Sequence, residues 1–403
     1  MKAVVIGAGI AGLAAAIRLN SEGVDVTLLT KGIGGLQLSQ GSVDILGYAP
    51  ERVERPLEAL AGFAATNPGH PYAQLDADVV RRAVTWFADL LGPDLIAGDP
   101  DTNVLLPTAV GALRPTALAV PSVLAGAVKP DTRYLLIGFA QLKDFGAPLA
   151  ASNLARQGIA ARHEIVDFPA RAGEVDSSAL RYAQALDDKA TRRRLAVLLR
   201  PMVRDGETVG LPAVLGVNDP GAWKEFEQLL GHPVFEIPLP PPGVPGMRLN
   251  QALTQRAKDA RVRFTLGARV VGKVVDGDRL VSVALGTAGR TRDYPADAFV
   301  FAPGGFESGA LELDSYLKVS ETILGLPVET PEGEPTVPDY WADQPVFRSG
   351  LRVDADMRVG GFSNLYAAGG VLAGAMRWKE KSGEGIALAS AMKACDAILE
   401  GQR

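Results

Sequence analysis

The sequence predicts an α/β protein whose parallel sheet takes strands from both ends of the chain, and three observations lead to this fold class. First, residues 2–7 form a short β-branched run that ends at a glycine, which is typical of a buried parallel strand. Second, a helix pattern over residues 11–21 and a strand pattern over residues 24–30 complete a βαβ unit. Third, near the other end, a strand pattern over residues 365–368 is followed by two glycines and a helix pattern over residues 384–399.

The middle of the chain predicts a second domain. Two apolar strand candidates, at residues 134–138 and 160–166, lie among helix patterns. The helix patterns cover residues 53–66, 78–92, 144–157 and 176–200. Residues 233–245 contain six prolines, which excludes a helix or a central strand and predicts an extended crossover between domains.

The two ends of the chain are expected to meet in one domain. Residues 269–275 and 279–285 flank a short turn and predict a β-hairpin. The fold class is therefore α/β, with a Rossmann-type domain, a parallel sheet of the kind that binds FAD or NAD(P), assembled from residues 1–50 and 250–403. Residues 51–249 are expected to form an inserted α+β domain for substrate or a partner.

Composition excludes several classes of protein. The 403 residues suffice for two domains, and the net charge of −5 argues against a nucleic-acid partner, which usually meets a basic face. A single cysteine, Cys395, can neither close a disulfide within the chain nor hold an iron–sulfur cluster. The three histidines lack the spacing of metal ligands, so we expect no metal. No stretch has about 18 uninterrupted apolar residues, so we expect no membrane span.

A glycine loop lies between the first strand and the first helix. Gly7 makes the tight turn, Gly9 lets a phosphate approach the backbone, and Gly12 allows the helix to pack on the strand. The pattern G-x-G-x-x-G is completed in the required strand–helix context by Gly7, Ala8, Gly9, Ile10, Ala11 and Gly12. Glycines also occur at ordinary strand–helix turns, but this context favours a nucleotide phosphate at the helix N-terminus.

The end of the second strand departs from the usual pattern. An acidic residue there normally holds the adenosine ribose, but this chain has Thr30 followed by Lys31. Either threonine or the backbone makes a weaker contact with the ribose, or the adenosine half of the ligand is bound unusually or is absent. Small and polar residues downstream can contact sugar or phosphate oxygens, unless they only form a turn. They are Gly34, Gly35, Ser39, Gln40, Gly41 and Ser42.

Glycines also follow the predicted strands of the C-terminal half. Gly304 follows the strand pattern at residues 298–302, and Gly369 and Gly370 follow the strand pattern at residues 365–368. Many two-domain flavoproteins carry an aspartate where this chain has Gly370, so a side-chain anchor for ribityl hydroxyls is missing.

The start of the last helix favours a flavin over a nicotinamide. Its first turn can face the pyrimidine edge of a flavin and stabilise negative charge on the reduced ring. That turn consists of Gly383, Glu384, Gly385 and Ile386. An ordinary helix start with Ser382 as N-cap is the alternative. A simple nicotinamide enzyme does not need this C-terminal return, so we expect a flavin.

Several unusual stretches point together to one family. Besides the glycine loop and residues 39–44, they read Asn67-Pro-Gly-His-Pro-Tyr72, Gly111-Ala-Leu-Arg-Pro-Thr116, Gly138-Phe-Ala-Gln-Leu-Lys-Asp-Phe145, Glu236-Ile-Pro-Leu-Pro-Pro-Pro-Gly-Val-Pro-Gly246, Ala302-Pro-Gly-Gly-Phe-Glu-Ser-Gly-Ala310 and Ile323-Leu-Gly-Leu326. Over essentially its whole length, the chain resembles the B subunit of anaerobic glycerol-3-phosphate dehydrogenase.

The resemblance implies an activity, a cofactor and partners. The family oxidises sn-glycerol 3-phosphate to dihydroxyacetone phosphate and passes the electrons to the quinone pool, with fumarate or nitrate as terminal acceptor. FMN is the implied flavin, and FAD is the alternative. The implied partners are a larger, FAD-bearing A subunit, together with an iron–sulfur subunit that anchors the pair at the membrane. We therefore expect an enzyme that works in a complex, in the cytoplasm or held at the cytoplasmic face of the inner membrane through that anchor.

The implied reaction needs a base for the hydroxyl proton and cations for the phosphate. We expect the catalytic residues to be His70, Arg114, Lys143 and Arg377. His70 precedes a proline and lies in a predicted loop, Arg114 and Lys143 lie in family-like stretches, and Arg377 precedes the last helix. Further candidates are His163, His232, Arg248, Lys379 and Lys381. A surface or structural role is the alternative for each.

Two other functions remain open at this stage. The absence of a carboxylate at Thr30 and of an aspartate at Gly370 is compatible with an assembly subunit whose flavin site is degenerate. A free-standing flavin oxidoreductase that acts on another substrate is the second alternative. Residues 192–194, three arginines on a predicted helix, are expected to be a solvated face, and Cys395 is expected in the core.

Overall fold

The computed structural model describes residues 1–267, 269–287 and 289–401, and these form two compact units. The first unit comprises Met1–Gly35, Asp44–Phe87 and Leu253–Arg403. The second comprises Leu36–Val43 and Ala88–Ala252. Residues 51–87, which we expected in the inserted domain, group with the first unit because they pack against the C-terminal part of the chain there.

The strands are short, as is usual in α/β proteins. They are β1 (Lys2–Ile6), β2 (Asp25–Thr30), β3 (Ser42–Val43), β4 (Ala97–Gly98), β5 (Val104–Pro107), β6 (Leu113–Thr116), β7 (Leu118–Ala119), β8 (Arg133–Phe139), β9 (Ala160–Val166), β10 (Thr208–Pro212), β11 (Val234–Ile237), β12 (Arg263–Leu266), β13 (Arg269–Asp276), β14 (Arg279–Thr287), β15 (Arg290–Pro295), β16 (Ala298–Phe301), β17 (Leu311–Leu313), β18 (Val319–Glu321) and β19 (Leu365–Ala367).

The helices range from single turns to the long C-terminal helix. They are α1 (Ile10–Ser21), α2 (Pro56–Thr66), α3 (Ala77–Leu91), α4 (Pro121–Leu124), α5 (Ala147–Arg156), α6 (Ala179–Leu186), α7 (Lys189–Leu199), α8 (Ala222–Leu230), α9 (Val244–Asp259), α10 (Arg377–Glu380) and α11 (Gly383–Glu400).

The main sheet of the first unit confirms the predicted Rossmann-type fold. Its five strands lie in the order β12-β2-β1-β16-β19, and every neighbouring pair is parallel. The central strand β1 lies between β2, from the N-terminal part of the chain, and β16, from the C-terminal part. Both parts of the chain therefore contribute to one sheet. Val4 and Val5 on β1 are both buried, which shows that both faces of the sheet are covered. Helices α1 and α11 pack against each other and against β16.

The predicted hairpin is also present in the first unit. β13 pairs antiparallel with β14, and β14 pairs antiparallel with β15. Gly277 in the connecting turn has a φ of +57°, a conformation that glycine adopts without strain. The two strand patterns and the glycine turn between them were therefore a sufficient signal for their pairing.

The second unit contains its own parallel sheet, in the order β11-β10-β8-β9. The expectation that residues 233–245 form an extended crossover between domains is wrong. Val234–Ile237 is the edge strand β11, and the flanking prolines leave its four N–H groups in place. The next helix begins at Val244, with Pro245 in its first turn, where a missing N–H costs no hydrogen bond.

One predicted helix of the second unit is two helices. α6 and α7 are separated at Asp187 and Asp188, whereas the pattern predicted a single helix over residues 176–200. Asp187 Oδ1 accepts hydrogen bonds from the backbone N–H groups of Val217 and Asn218, and Asp188 caps α7 by accepting from Thr191. Aspartate competes with helix continuation in this way, so the break follows from side-chain chemistry that apolar periodicity does not report.

The arginine run on α7 is only partly a solvated face. Arg192 is buried and forms an ion pair with Glu225 of α8, so the expected solvation is wrong for this residue. Cys395 is buried in α11, as expected, and burial raises the pKa of its thiol. Across the part of the chain that the structure describes, no helix is long and apolar enough to span a membrane.

Candidate functional site

The glycine loop connects β1 to α1 in the first unit, and each of its glycines has a distinct surrounding. Gly7 has a φ of +109°, and a side chain there would overlap the carbonyl oxygen of Ala302. A side chain at Gly12 would overlap the carbonyl oxygen of Gly7. At Gly9, in contrast, a methyl group would meet no atom within 4 Å. The loop is therefore tight inside and open at Gly9, next to the first turn of α1, which is the shape a phosphate needs.

The glycines that follow β16 and β19 lie beside this loop. Because β1, β16 and β19 are parallel neighbours, their carboxyl ends share one edge of the sheet. A methyl group on Gly369 would lie 3.1 Å from the Cβ atom of Ala11, and one on Gly305 would lie 2.8 Å from the carbonyl oxygen of Gly370. Ligands of open α/β sheets bind at this edge, where the strand order reverses.

Gly34 and Gly35 follow β2, and only Gly34 is in close contact with the glycine loop. A side chain at Gly34 would overlap the carbonyl oxygen of Ala8, whereas one at Gly35 would meet nothing within 4 Å. A methyl group on Gly304, which follows β16, would lie 2.6 Å from the hydroxyl oxygen of Ser308. The first unit thus brings together the predicted cofactor residues of the glycine loop and those at positions 34, 35, 304 and 369.

The end of β2 offers no carboxylate. Thr30 is buried, and its hydroxyl donates a hydrogen bond to the carbonyl oxygen of Gly32 at 2.5 Å. Lys31, the next residue, is exposed. The open space at Gly9 fits the phosphate of a flavin, while the side chain of Thr30 is engaged within its own turn.

The side chain of Arg377 occupies the space where an aspartate side chain at position 370 would lie. The guanidinium of Arg377 lies over Gly370, so that a side chain at 370 would overlap its Nη1 atom. Arg377 Nη2 also donates to Glu307 at 3.0 Å, and it would lie 3.0 Å from a methyl group on Gly305. A positive charge therefore lies directly on the two glycine-bearing loops that follow β16 and β19.

The first turn of α11 is fixed by two other segments of the first unit. The backbone N–H of Gly385 donates to the carbonyl oxygen of Asp44 at 2.9 Å. A methyl group on Gly385 would lie 2.6 Å from Tyr72 Oη and 2.9 Å from Ile45 Cα. Ser382 is at the N-cap position, but its side chain makes no capping hydrogen bond, so the alternative of an ordinary helix start capped by Ser382 lacks that bond. Its hydroxyl donates to Glu380 instead.

His70 is buried beside this helix start. Its Nε2 atom lies 3.1 Å from Glu380 Oε2, and its Nδ1 atom accepts a hydrogen bond of 3.1 Å from the backbone N–H of Tyr72. Glu380, the partner of His70, is the last residue of α10, and Arg377 is the first residue of the same helix.

The remaining predicted site residues belong to the second unit. Ser39, Gln40, Gly41 and Ser42 lie there, and Ser39 packs against the glycines at 243 and 246. Arg114 lies on β6 opposite Leu106, and Lys143 donates to the carbonyl oxygen of Ala140. Arg248 is buried in an ion pair with Glu236, so it is a structural residue of this unit rather than an exposed cation.

Other candidates lie apart from these clusters. His163 is on β9 and His232 precedes β11, both in the second unit. No group of His, Cys, Asp and Glu among the described residues could hold a metal ion. A cavity of about 580 Å³ in the first unit lies at the amino-terminal halves of β1, β2 and β12, and none of the predicted site residues lines it.

Sequence reasoning missed Glu380, and it considered Ser382 only as a possible N-cap. Glu380 is a single carboxylate within the basic stretch Arg377–Lys381, and this charge contrast was the only available signal. Its partner His70 lies 310 positions away in the chain, so their contact depends on the tertiary fold.

Comparisons with known proteins agree with this geometry. Residues 2–386 match the FAD binding domain family. The probable B subunit of anaerobic glycerol-3-phosphate dehydrogenase from Halobacterium salinarum is 31% identical over 98% of this chain and 97% of its own length. The B subunit of the same enzyme from Pectobacterium carotovorum is 32% identical over 98% of both chains. The chain therefore belongs to the FAD-binding domain family and, within it, to the family of these B subunits. This membership supports a flavin as the cofactor.

Proposed function

We propose that this chain is the flavin-bearing B subunit of an anaerobic glycerol-3-phosphate dehydrogenase. The observation that carries the proposal is the glycine-lined carboxyl edge of the five-stranded sheet, open at Gly9 and closed around Gly7 and Gly12. The substrate would be sn-glycerol 3-phosphate and the product dihydroxyacetone phosphate. The full-length similarity to proteins named for this activity supports the substrate class.

The chain's own groups divide the work of holding a flavin. The N–H groups at the start of α1 would bind its phosphate, favoured by the positive end of the helix dipole. The first turn of α11, over residues 383–386, would face the pyrimidine edge of the ring. Loop residues at 34, 35, 304, 369 and 370 would contact the sugar chain, and residues 39–42 are proposed as further contacts from their sequence pattern. When bound, the flavin supplies the acceptor for the hydride removed from the alcohol carbon.

We propose FMN as the flavin. Thr30 stands where an adenosine-binding carboxylate is usual, and its hydroxyl is engaged with Gly32. FMN has no adenosine, so it needs no ribose-binding carboxylate at position 30. FAD, the ligand after which the matching family is named, is the alternative outcome of the test below.

Cations and partners complete the proposal. Arg377 is proposed to meet the negative charge of the substrate phosphate or of the reduced flavin. Arg114 and Lys143 are proposed as cations for the substrate phosphate from their sequence stretches alone. The electrons would leave through a complex with a larger, FAD-bearing A subunit, in which an iron–sulfur membrane subunit passes them toward quinone and then fumarate or nitrate. The second unit would serve substrate or partner binding.

The first measurement is the visible absorbance of the purified chain, followed by identification of any flavin released on denaturation. One FMN per chain is the expected result. Release of FAD would retain the flavin site and correct the choice of flavin. A chain that stays colourless after addition of FMN and of FAD would contradict the proposal and favour an assembly subunit with a degenerate site.

Activity separates the remaining alternatives. We expect glycerol 3-phosphate to reduce the bound flavin or an added dye only when the second flavoprotein subunit is present. Turnover by the isolated chain, on this or another small alcohol, would instead indicate a free-standing oxidoreductase.

A further inference from the structure

Glu380 is a buried carboxylate that gathers hydrogen-bond donors from three places in the first unit. Its Oε2 atom faces His70 Nε2 at 3.1 Å and accepts from the hydroxyl of Ser382 at 2.9 Å. Its Oε1 atom accepts from the backbone N–H of Met376 at 2.9 Å. Its own carbonyl oxygen accepts from the N–H groups of Gly47, at 2.7 Å, and Tyr48, at 3.0 Å. A buried carboxylate with this many hydrogen bonds restricts its neighbours to one conformation.

The charge state of Glu380 follows from these donors. Burial alone raises the pKa of this carboxyl, but the hydrogen bonds from His70, Met376 and Ser382 lower it by more. The pKa therefore lies below its ordinary value, and the group is ionised at neutral pH. An ionised carboxylate is the stronger acceptor for all three donors.

The imidazole of His70 has no ring nitrogen open to a substrate. Because Tyr72 N–H donates to Nδ1, that nitrogen carries no proton, so the proton of the neutral ring resides on Nε2 and points to Glu380. The ring is also enclosed by Phe63, at a centroid distance of 4.9 Å, and is 2% exposed. A general base must reach the proton it abstracts, directly or through one water, and this ring is turned away from solvent.

Both residues act on the start of α11. Ser382, which precedes the helix, is fully buried, and its hydroxyl donates a hydrogen bond to Glu380. Three residues on, Gly385 is pressed against Tyr72 and Ile45, and its N–H is bonded to Asp44. Burial first, and then the charges of Glu380, Glu384 and Asp44, raise the pKa of Tyr72, so its hydroxyl keeps the proton that it donates to Ile45.

We propose that His70 and Glu380 are positioning residues that together fix the first turn of α11 for the flavin, and that His70 is not the general base. The inference rests on the proposed flavin site, because the helix start is the part of α11 assigned to the flavin ring. It replaces the catalytic role predicted for His70 from its loop sequence. The contacts of Ser382 and Gly385 carry the effect from the His70–Glu380 pair to the helix.

The test uses three substitutions at His70 and one at Glu380. His70→Gln places an amide N–H where Nε2 lies, so it keeps the bond to Glu380 but has no imidazole. His70→Asn places an oxygen where Nδ1 lies, so it keeps the bond from Tyr72 and loses the bond to Glu380. His70→Ala loses both, and Glu380→Gln removes the negative charge and one of the two acceptor oxygens.

Amide hydrogen exchange of the full chain, without added flavin or substrate, is the primary readout. We expect peptides over residues 382–388 to exchange about tenfold faster or more in His70→Asn and Glu380→Gln, the size expected when a charge-assisted hydrogen bond is lost. His70→Gln is expected to stay near wild type, and peptides over β8 should not change in any variant. Equal protection of residues 382–388 in wild type and His70→Asn would overturn the inference. If His70→Ala does not fold, the Gln and Asn variants still decide.

Nitrogen NMR and turnover supply two further readouts. In the wild-type chain, the His70 signals, assigned by their loss in His70→Gln, should show protonated Nε2 and unprotonated Nδ1, and the reverse would overturn the inference. In the holoenzyme complex, His70→Gln should lose at most about threefold in turnover, whereas removal of a general base costs about 10²–10⁴-fold. If the complex does not oxidise glycerol 3-phosphate at all, the proposed substrate fails, and the exchange result still judges the positioning role.

Discussion

At the residue scale, the glycine loop contains two glycines that the backbone requires and one that it does not. Gly7 and Gly12 have no room for a side chain, since each would overlap a carbonyl oxygen. Gly9 has room, and its φ of −74° is open to any residue. Nothing in the protein itself explains a glycine at position 9, whereas the approach of a phosphate does.

Gly9→Ala should therefore fold normally and lose flavin. We expect the free energy of unfolding to change by less than about 1 kcal/mol, while flavin affinity falls by about tenfold or more, since a methyl group stands between the phosphate and the backbone N–H groups. Flavin content after dialysis and thermal unfolding measure the two effects. Gly62→Ala, an exposed position in α2 where a methyl group also meets nothing, is the matched control and should keep its flavin. Retention of flavin by both variants would place the phosphate elsewhere.

Arg377→Met tests the cation over Gly370. Its ion pair with Glu307 is partly solvated, so we expect a loss of under about 1 kcal/mol in stability. Turnover or the affinity for the anionic substrate should fall by about tenfold or more, because the cation offsets negative charge on the site. Lys379→Met is the control, since Lys379 lies on the same short helix and pairs with the exposed Asp343. Equal kinetics of the two variants would remove Arg377 from the site.

At the element scale, the second unit is locked by the buried pair of Glu236 on β11 and Arg248 on α9. Arg248 Nη1 lies 2.5 Å from Glu236 Oε2, and its other donors reach the carbonyl oxygens of Leu215, at 3.0 Å, and Gly216. Glu236 also accepts from the N–H of Leu215 at 2.7 Å. The pair therefore joins a strand, a helix and a loop, and the removal of one member leaves a buried charge without compensation.

Glu236→Gln should destabilise the protein by about 3–5 kcal/mol at neutral pH. Burial alone raises the pKa of Glu236, but Arg248 and the remaining donors lower it by more. Because the pKa of Glu236 is lower in the folded state, its ionised carboxylate contributes fully to the free energy of unfolding at pH values above the ordinary pKa of a glutamate. This contribution is lost as the pH falls through the lower pKa of the folded state. Thermal unfolding from pH 7 to acid should thus show the difference between wild type and Glu236→Gln shrinking. A difference that is constant over this range would contradict the linkage.

At the scale of the whole molecule, the two compact units differ in how they depend on the chain. The five-stranded sheet of the first unit needs β1 and β2 from the N-terminal end and β12, β16 and β19 from the C-terminal end. The four-stranded sheet of the second unit is continuous within residues 88–252 and has its own apolar core, which includes Leu135, Tyr182, Val209 and Phe235.

A fragment of residues 88–252 should therefore fold alone, and a fragment of residues 1–87 should not. The first contains a complete sheet and core, while the second holds only two strands of a five-strand sheet. Circular dichroism with thermal melting should show a cooperative transition for the first fragment only. Absence of that transition would mean that the second unit depends on the rest of the chain.

Much of the first unit could be predicted because its signals are local. The strand, glycine loop and helix at residues 2–21 are contiguous, and the C-terminal strand and helix each carry their own apolar pattern. The proline-rich stretch failed as a predictor because proline is compatible with an edge strand and with a helix start, and composition does not distinguish these from a crossover. The burial of Arg248, a candidate cation for the phosphate, was not predicted either, since it is set by contacts with β11 and with the loop before α8.

The sequence by itself determined the fold class, the glycine loop and the family, because each of these depends on contiguous residues whose spacing the backbone geometry constrains. Only the tertiary structure decided which charged side chains meet. His70 and Glu380 are 310 positions apart and meet because α2, α10 and α11 all pack in the first unit. Side-chain partners of this kind depend on how elements pack across the sheet, and no local pattern records that packing.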